Sequence, residues 1–447
     1  MARDRDAIPT GRARRATRAT TALAPSTVRF ASSLAASVMR SPESAAAILE
    51  RRHEEIADHA LEVLGGLRGG AMKLGQLASF VDVDLLPPEY RAIYQEKLGA
   101  LRDSAPPMSW RKVRAVLEGE WGEPPESLFE DFDETAAAAA SIGQVHRAVL
   151  PGGRAVAVKV QYPEIADAVA ADLGLAAVGI RLARAMAPGL DPEAVAGELR
   201  ERIMEELDYE LEAQHQRYFA RAYRGHEHAH VPEVVTELSR RRVLVSDWVD
   251  GRPFAEMVEL PQADRDRIGE LLYRFYFGSM HVLGRYNSDP HPGNYLLLAD
   301  GRIAFLDFGS VKVVDRDWLA AGTEVVAAAM EGDAERHHRG VERMGYFHRA
   351  DRVDPEWLLR QSLAGYEWFL RDAEIRIDSG YVAKLLAGMV DASAEGIRVA
   401  RAFKLPPDEI MFRRMSVGVF AVLGHLRACA NWHRIAREYM FGEEKRL

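Results

Sequence analysis

Between Tyr286 and Asn294 the chain reads Tyr-Asn-Ser-Asp-Pro-His-Pro-Gly-Asn, and Leu306-Asp307-Phe308-Gly309 follows after a short apolar run. An Asp, an Asn five residues later and a second Asp ahead of Phe-Gly are spaced as a phosphoryl-transfer site spaces one base and two magnesium ligands. Such a transfer asks little covalent chemistry of a protein. Hard carboxylate and amide oxygens that hold Mg²⁺, with one carboxylate near the acceptor, are a chemically sufficient set. Asp289 is therefore expected as the catalytic residue, and Asn294 and Asp307 as metal ligands. A lone Asp-Phe-Gly would be an ordinary turn after a strand, so the ordered company of the three residues carries the reading. Arg302 to Leu306 reads as a strand opened by the Asp300-Gly301 turn, with Tyr295 to Leu298 as its hairpin partner.

In a kinase fold this set needs a lysine upstream on a strand, and Val156-Ala157-Val158-Lys159 supplies one. Alternation from Ala155 to Val160, entered through the turn Pro151-Gly152-Gly153, predicts a strand antiparallel to Gln144–Val149. The Lys159 ammonium is expected on the α and β phosphates. A glycine-rich loop should precede that strand pair, but the sequence there is Thr135, five alanines and Ser141-Ile142-Gly143-Gln144. Alanine carries a Cβ and avoids positive φ, so this loop cannot wrap phosphates as glycines do, although Ser141 and nearby amides can still donate hydrogen bonds. By propensity alone the alanine run would start a helix. Ala138, Ala139, Ala140 and Ser141 are the expected nucleotide contacts, with handling that differs from an ordinary protein kinase.

These residues resemble the UbiB/AarF group of atypical protein-kinase-like proteins, which includes the ADCK proteins linked to coenzyme Q. The group's alanine-rich loop matches Ala138 to Ser141, and its Lys-x-Gly-Gln signature matches Lys73-Leu74-Gly75-Gln76. Its Glu-x-Asp with a later glutamate matches Glu206, Asp208 and Glu212. The resemblance implies that Glu212 pairs with Lys159, that Glu206 and Asp208 hold Lys73, and that the segment with Lys73, Gly75 and Gln76 covers the pocket of a peptide substrate. Read without the family, Glu206 to Glu212 lie in one helix started at Asp191-Pro192, where Asp208 and Glu212 share a side and Glu206 lies apart. Two departures stand out. The group's usual His before the catalytic Asp is Asn287, and its usual Asn after the second glutamate is His215. An asparagine can keep a hydrogen bond to neighbouring backbone, so a modest effect is expected. No Ala-Pro-Glu follows Gly309 and Asp317 onward reads as an alanine-rich helix, which argues against an activation loop switched by phosphorylation.

The remaining chain bounds this reading. Its 447 residues, 48% of them hydrophobic, suit a two-lobed kinase-like core with extensions, and a net charge of −9 argues against nucleic acid as a partner. The single Cys429 excludes an intramolecular disulfide, fits a reducing cytoplasm, and is read as core within an apolar C-terminal helix. His226, His228 and His230 alternate without cysteines nearby and are read as a polar loop rather than a metal site. No stretch approaches a membrane span, Met415 to Leu426 being the longest C-terminal candidate. Ile8 to Pro42 holds six arginines and no acid, so it is expected as a flexible tail, able to lie on an anionic membrane and similar in composition to an organellar transit peptide.

The expected architecture is an α+β, two-lobed protein-kinase-like fold. It comprises a basic tail over 1–40, a helical extension over 41–125, a small lobe over 126–250 and a helical large lobe over 251–447. The strand Arg242 to Val245 leads into a hinge against adenine, with Asp247 and Val249 as contacts. A hydrophobic helix from Asp264 to Leu283 supports the large lobe. The cofactors expected are ATP or ADP with Mg²⁺. The expected function is an atypical kinase or ATPase serving isoprenoid quinone or lipid metabolism from the cytoplasm or the membrane surface. A small-molecule kinase of the aminoglycoside phosphotransferase type would lack the Lys-x-Gly-Gln and alanine-rich pair. A non-catalytic nucleotide sensor would have no need of Lys159, Asp289, Asn294 and Asp307 together.

Overall fold

The computed structural model describes residues 108–163 without Ser141, 207–388, and 402–442 without Leu405, with Ile165, Gly197, Glu201, Met204 and Glu205 between. Lys73, Gly75, Gln76, Ser141 and Glu206, the basic tail and the start of the helix expected from Asp191 lie outside the described residues. The chain is mixed α+β and divides into two compact units, the first completed by Leu207–Tyr209 and Glu237–Val245 and the second holding Glu210–Thr236 and everything from Ser246 on.

The first unit is a sheet with helix α1 (Trp110–Trp121). Its strands run in the order β1 (Asp131–Phe132), β3 (Gly143–Val149), β4 (Ala155–Gln161) and Val243–Asp247, with β2 (Ala138–Ala140) also paired to β3. The alternation in β4 does what its period requires: Val156, Val158 and Val160 are fully buried, and Lys159 falls on the opposite face. The β3–β4 turn carries Gly152 at φ 96° and Gly153 at φ 84°, two consecutive positions that side chains with a Cβ resist. The alanine run is neither helix nor open loop. Ala138–Ala140 is extended, with Ala140 opposite Gly143 in an antiparallel hairpin, because pairing with β3 satisfies backbone groups that helical propensity alone cannot satisfy over so short a run.

The second unit is mostly helical, and its first described helix is α2 (Tyr209–Ala222). Its strands β5 (Ala229–His230), β6 (Arg252–Pro253), β7 (Arg285–Asn287), β8 (Tyr295–Leu297), β9 (Ile303–Phe305) and β10 (Val311–Val313) are short. β9 pairs antiparallel with β8, as the hairpin reading requires, and β7 pairs antiparallel with β10. The long apolar helix is realised as α3 (Gln262–Tyr273), a π-helical turn over Arg274–Gly278, and α4 (Ser279–Leu283), closed by Gly284 at φ 64°. The π turn carries Phe275, which stacks on Phe305 of β9, and Tyr276. Helix α5 (Arg316–Glu331) is capped by the Asp315 carboxylate, which accepts from the Trp318 amide.

Helix α6 (Pro407–Leu426) contains the expected Met415–Leu426 stretch and sends Met411, Met415, Val419, Val422 and Leu426 into the core. Cys429 lies beyond this helix, in a short strand with Ala430 paired to Ile375–Arg376, because Arg427 takes a left-handed conformation and turns the chain out of α6. The reading of Cys429 as helical is corrected accordingly, and the residue is half-buried. No helix among the described residues is long and apolar enough to cross a membrane.

Candidate active site

In the second unit the loop after β7 and the loop after β9 are drawn together by a ring of hydrogen bonds. Asn287 pairs across the β7–β10 ladder with Val311, and Ser288 donates its amide to Ser310 O at 2.7 Å. The Ser288 and Ser310 hydroxyls lie 2.7 Å apart, both buried. The amide nitrogen of Asn294 donates to Asp289 O at 3.2 Å, and Leu306 N donates to Asn294 O at 2.9 Å. Asp307 Oδ1 accepts from Gly309 N at 2.9 Å, which fixes its carboxylate by a local turn. Asp289, Asn294 and Asp307 are thus three oxygen-bearing side chains on two mutually bonded loops. With its nitrogen engaged, Asn294 has its amide oxygen to offer a cation, and Asp307 supplies a carboxylate, a donor set suited to a hard divalent ion.

Two further side chains complete this arrangement. The side chain of Asn287 donates to Asp307 O at 2.6 Å and accepts from Asp289 N at 2.9 Å. Arg414 of α6 reaches Asp289 Oδ1 at 3.2 Å, its own side chain only 5% exposed against 19% for the aspartate. The face of α6 that meets the loop reads Met411, Arg414, Gly418, at helical spacing. Met411 Sδ takes the Ser288 hydroxyl at 3.7 Å, and a Cβ on Gly418 would fall 2.5 Å from Pro290. Sequence reasoning missed Arg414. The signal it offered was an arginine set between Met411 and Met415 on a core-facing helix, a position that calls for a carboxylate partner.

Beneath the loops, Tyr295 donates its hydroxyl to Pro290 O at 2.9 Å. Burial first, and then the nearby Tyr295, Asp289 and Asp307, hold the Tyr276 phenol far above its ordinary range. Glu212, in helix Tyr209–Ala222, is buried with its carboxylate beside Gly309, 3.5 Å from where a Cβ would stand. The helix reading through Glu206 and Asp208 is corrected in part: Leu207 and Asp208 are not helical, and the helix begins at Tyr209, so Asp208 does not share a helix face with Glu212. The backbone turns there because Tyr209 N donates to Arg241 O and Leu207 O accepts from the Gln161 side chain. Asp247 ends a strand that runs two residues further along the chain than expected and donates its amide to Glu233 O, while Val249 follows it half-buried. Among the described residues no cluster of His, Cys, Asp or Glu forms a metal group, and the three histidines 226, 228 and 230 lie at the entry to and within β5.

In the first unit Lys159 places its ammonium 5.0 Å from the centre of the Tyr209 ring. Gly143, opposite Ala140, is required by close approach: a Cβ there would stand 2.3 Å from Val160 O and 2.8 Å from the Tyr209 hydroxyl.

A family model described as the ABC1 atypical kinase-like domain matches residues 100–340. The atypical kinase coq-8, mitochondrial, of Caenorhabditis elegans is 29% identical over 412 residues, covering 88% of this chain and 52% of that protein. The chloroplastic protein ACTIVITY OF BC1 COMPLEX KINASE 1 of Arabidopsis thaliana is 32% identical over 278 residues, covering 60% of this chain and 40% of its own. The chain thus spans about half the length of the curated relatives it matches. Among solved structures, the complex of Rv3197 with erythromycin from Mycobacterium tuberculosis superposes with a TM-score of 0.63 at 34% identity. That match covers 89% of this chain and 98% of the other.

Proposed function

Because this chain belongs to the ABC1 atypical kinase-like family, the UbiB and AarF group, we propose that it binds ATP or ADP with Mg²⁺ and acts as an atypical kinase or ATPase. The observation that carries the proposal is the bonded ring of Asn287, Asp289, Asn294 and Asp307. In this reading Asn294 and Asp307 hold the metal, which when bound neutralises charge on the phosphates. Asp289 receives the proton of the attacking hydroxyl or water, and Arg414 keeps its carboxylate in place. Lys159 serves the phosphates, the backbone at Ala138–Ser141 lies along them, Glu212 supports Lys159, and Asp247 and Val249 meet the adenine. The segment of Lys73, Gly75 and Gln76, held by Glu206 and Asp208, is assigned to blocking peptide substrates. The metabolic setting proposed is isoprenoid quinone or lipid metabolism at a membrane surface.

Purified protein is expected to hydrolyse ATP only with Mg²⁺ present. Equal phosphate release by the wild type, Asp289→Asn and Asp307→Asn would remove the enzymatic reading and leave a nucleotide-sensing scaffold. Membrane lipids and quinones compared between a deletion strain and its parent identify the pathway. A second reading is small-molecule binding of the antibiotic type, favoured by the structural neighbour Rv3197, whose structure is a complex with erythromycin. Its test is a thermal shift with erythromycin in the presence and absence of Mg-ATP.

A further inference from the structure

We propose that Tyr276 is a positioning residue for Asp289, its hydroxyl donating to that carboxylate once Mg-nucleotide is bound. The proposal rests on the phosphoryl-transfer reading above. Tyr276 lies in the π-helical turn, which buries Phe275, Tyr276, Phe277 and Gly278 in succession and packs against β7, the strand that leads into the Asp289 loop. Its ring meets Phe305, the last residue of β9, edge-on at 6.1 Å, so one side chain adjoins the strands that carry both site loops. Only 1% of it is exposed, and among the described residues its hydroxyl has no hydrogen-bond partner. Phenylalanine would fill the same place without burying an unpaired hydroxyl, a cost that tyrosine recovers only in a state that gives its proton an acceptor.

The acceptor follows from the oxygens nearby. Backbone carbonyls of the two loops are engaged: Asp289 O by the Asn294 amide, Pro290 O by the Tyr295 hydroxyl and Asp307 O by the Asn287 amide. The carboxylates remain, and Asp289 bears on the Tyr276 phenol more than Asp307 does, as it also bears on Tyr295. Burial keeps the phenol protonated, so it is a donor throughout the neutral range. Arg414 meets Asp289 Oδ1 at 3.2 Å, which leaves the carboxylate with further lone pairs for a second donor. With the Tyr276 bond made, Arg414 from α6 and Tyr276 from the π turn hold the carboxylate from two separate elements, which fixes its direction toward the acceptor. A bond formed on loading adds to nucleotide affinity and not to the stability of the protein without nucleotide.

The test uses the full chain as wild type, Tyr276→Phe, Asp289→Ala and the double variant, with a melt without nucleotide and a calorimetric titration of Mg-ADP for each. Tyr276→Phe is expected to melt at or above the wild-type temperature without nucleotide, and to bind Mg-ADP about tenfold more weakly. In the Asp289→Ala background the same substitution is expected to leave Mg-ADP affinity within about threefold, because the bond it removes is already gone. Unchanged Mg-ADP affinity in Tyr276→Phe overturns the proposal and leaves a hydroxyl that is merely buried. A Tyr276→Phe melt well below wild type without nucleotide, or failure to fold, overturns it too, since the hydroxyl is then bonded before nucleotide arrives. An equal loss of affinity with and without the Asp289 carboxylate overturns the pairing with Asp289. Should Asp289→Ala not fold, the melt and titration of Tyr276→Phe decide alone. These failures leave the phosphoryl-transfer reading standing, whereas a wild type that binds no Mg-ADP removes that reading and the proposal with it.

Discussion

At the scale of single residues, the pair Arg414–Asp289 is uneven. The guanidinium is almost wholly buried and the carboxylate is one-fifth exposed, so removing each partner has a different consequence. Asp289→Asn leaves a buried cation without its carboxylate and is expected to destabilise the second unit by up to about 3 kcal/mol, whereas Arg414→Met leaves an aspartate that water can reach and should cost less. Chemical denaturation of both variants orders them, and a larger loss for Arg414→Met contradicts this account. Asp307→Asn addresses the metal directly. An amide lacks the charge that a hard cation requires, so Mg-nucleotide affinity should fall by more than the roughly 10–100-fold that losing a mere supporting partner costs. Thermal-shift titration with Mg-ATP reads this, and unchanged Mg²⁺-dependent stabilisation in the folded variant takes Asp307 out of the metal site.

At the scale of elements, the sheet of the first unit encloses a buried histidine. His146 on β3 is fully buried, with Nδ1 at 2.8 Å from Asp133 O and Nε2 at 2.9 Å from the Gln144 amide nitrogen. Nδ1 therefore carries the proton and Nε2 accepts. Burial lowers its pKa below the ordinary 6.5, against the weaker raising effect of Asp133. The folded protein thus binds fewer protons than the unfolded chain below that value, so this contribution to stability is present above about pH 6.5 and is lost as the pH falls below it. His146→Gln should flatten that slope, measured as melting temperature against pH, and an unchanged slope assigns the sensitivity elsewhere. The hairpin of β2 and β3 offers a second handle. Ala140→Gly, opposite Gly143, should raise affinity for ATP relative to ADP by restoring backbone freedom beside Ser141, at a stability cost of roughly 0.5–1 kcal/mol. Calorimetry with both nucleotides checks the ratio, and an unaltered ratio separates this strand from selectivity.

At the scale of the whole molecule, the two lysines are assigned separate tasks. Lys159 sits on a sheet strand above the Tyr209 ring, and Lys73 belongs to a segment that by resemblance blocks peptide substrates. Lys73→Ala is therefore expected to spare nucleotide binding and Lys159→Ala to weaken it. Equal loss of ATP affinity in the two folded variants, followed by calorimetry, would show that the division is wrong.

The juxtaposition of Asp289, Asn294 and Asp307 was legible in the sequence because their spacing is local, and a hairpin and two turns bring the two loops together. The β3–β4 pair was readable for the same reason, since period-two alternation and a double-glycine turn act over a few residues. The extended form of Ala138–Ala140 was not, because propensity weighs a segment alone and the pairing with β3 outweighs it. The helix expected through Asp208 stops short for a like reason, as Leu207 and Tyr209 give their backbone groups to Gln161 and Arg241. Arg414 shows the limit most clearly. Helical periodicity places it on the inner side of α6, but only the folded second unit decides that the carboxylate it meets is Asp289, 125 positions away, because the packing of Met411 and Gly418 against the loop sets where that helix lies.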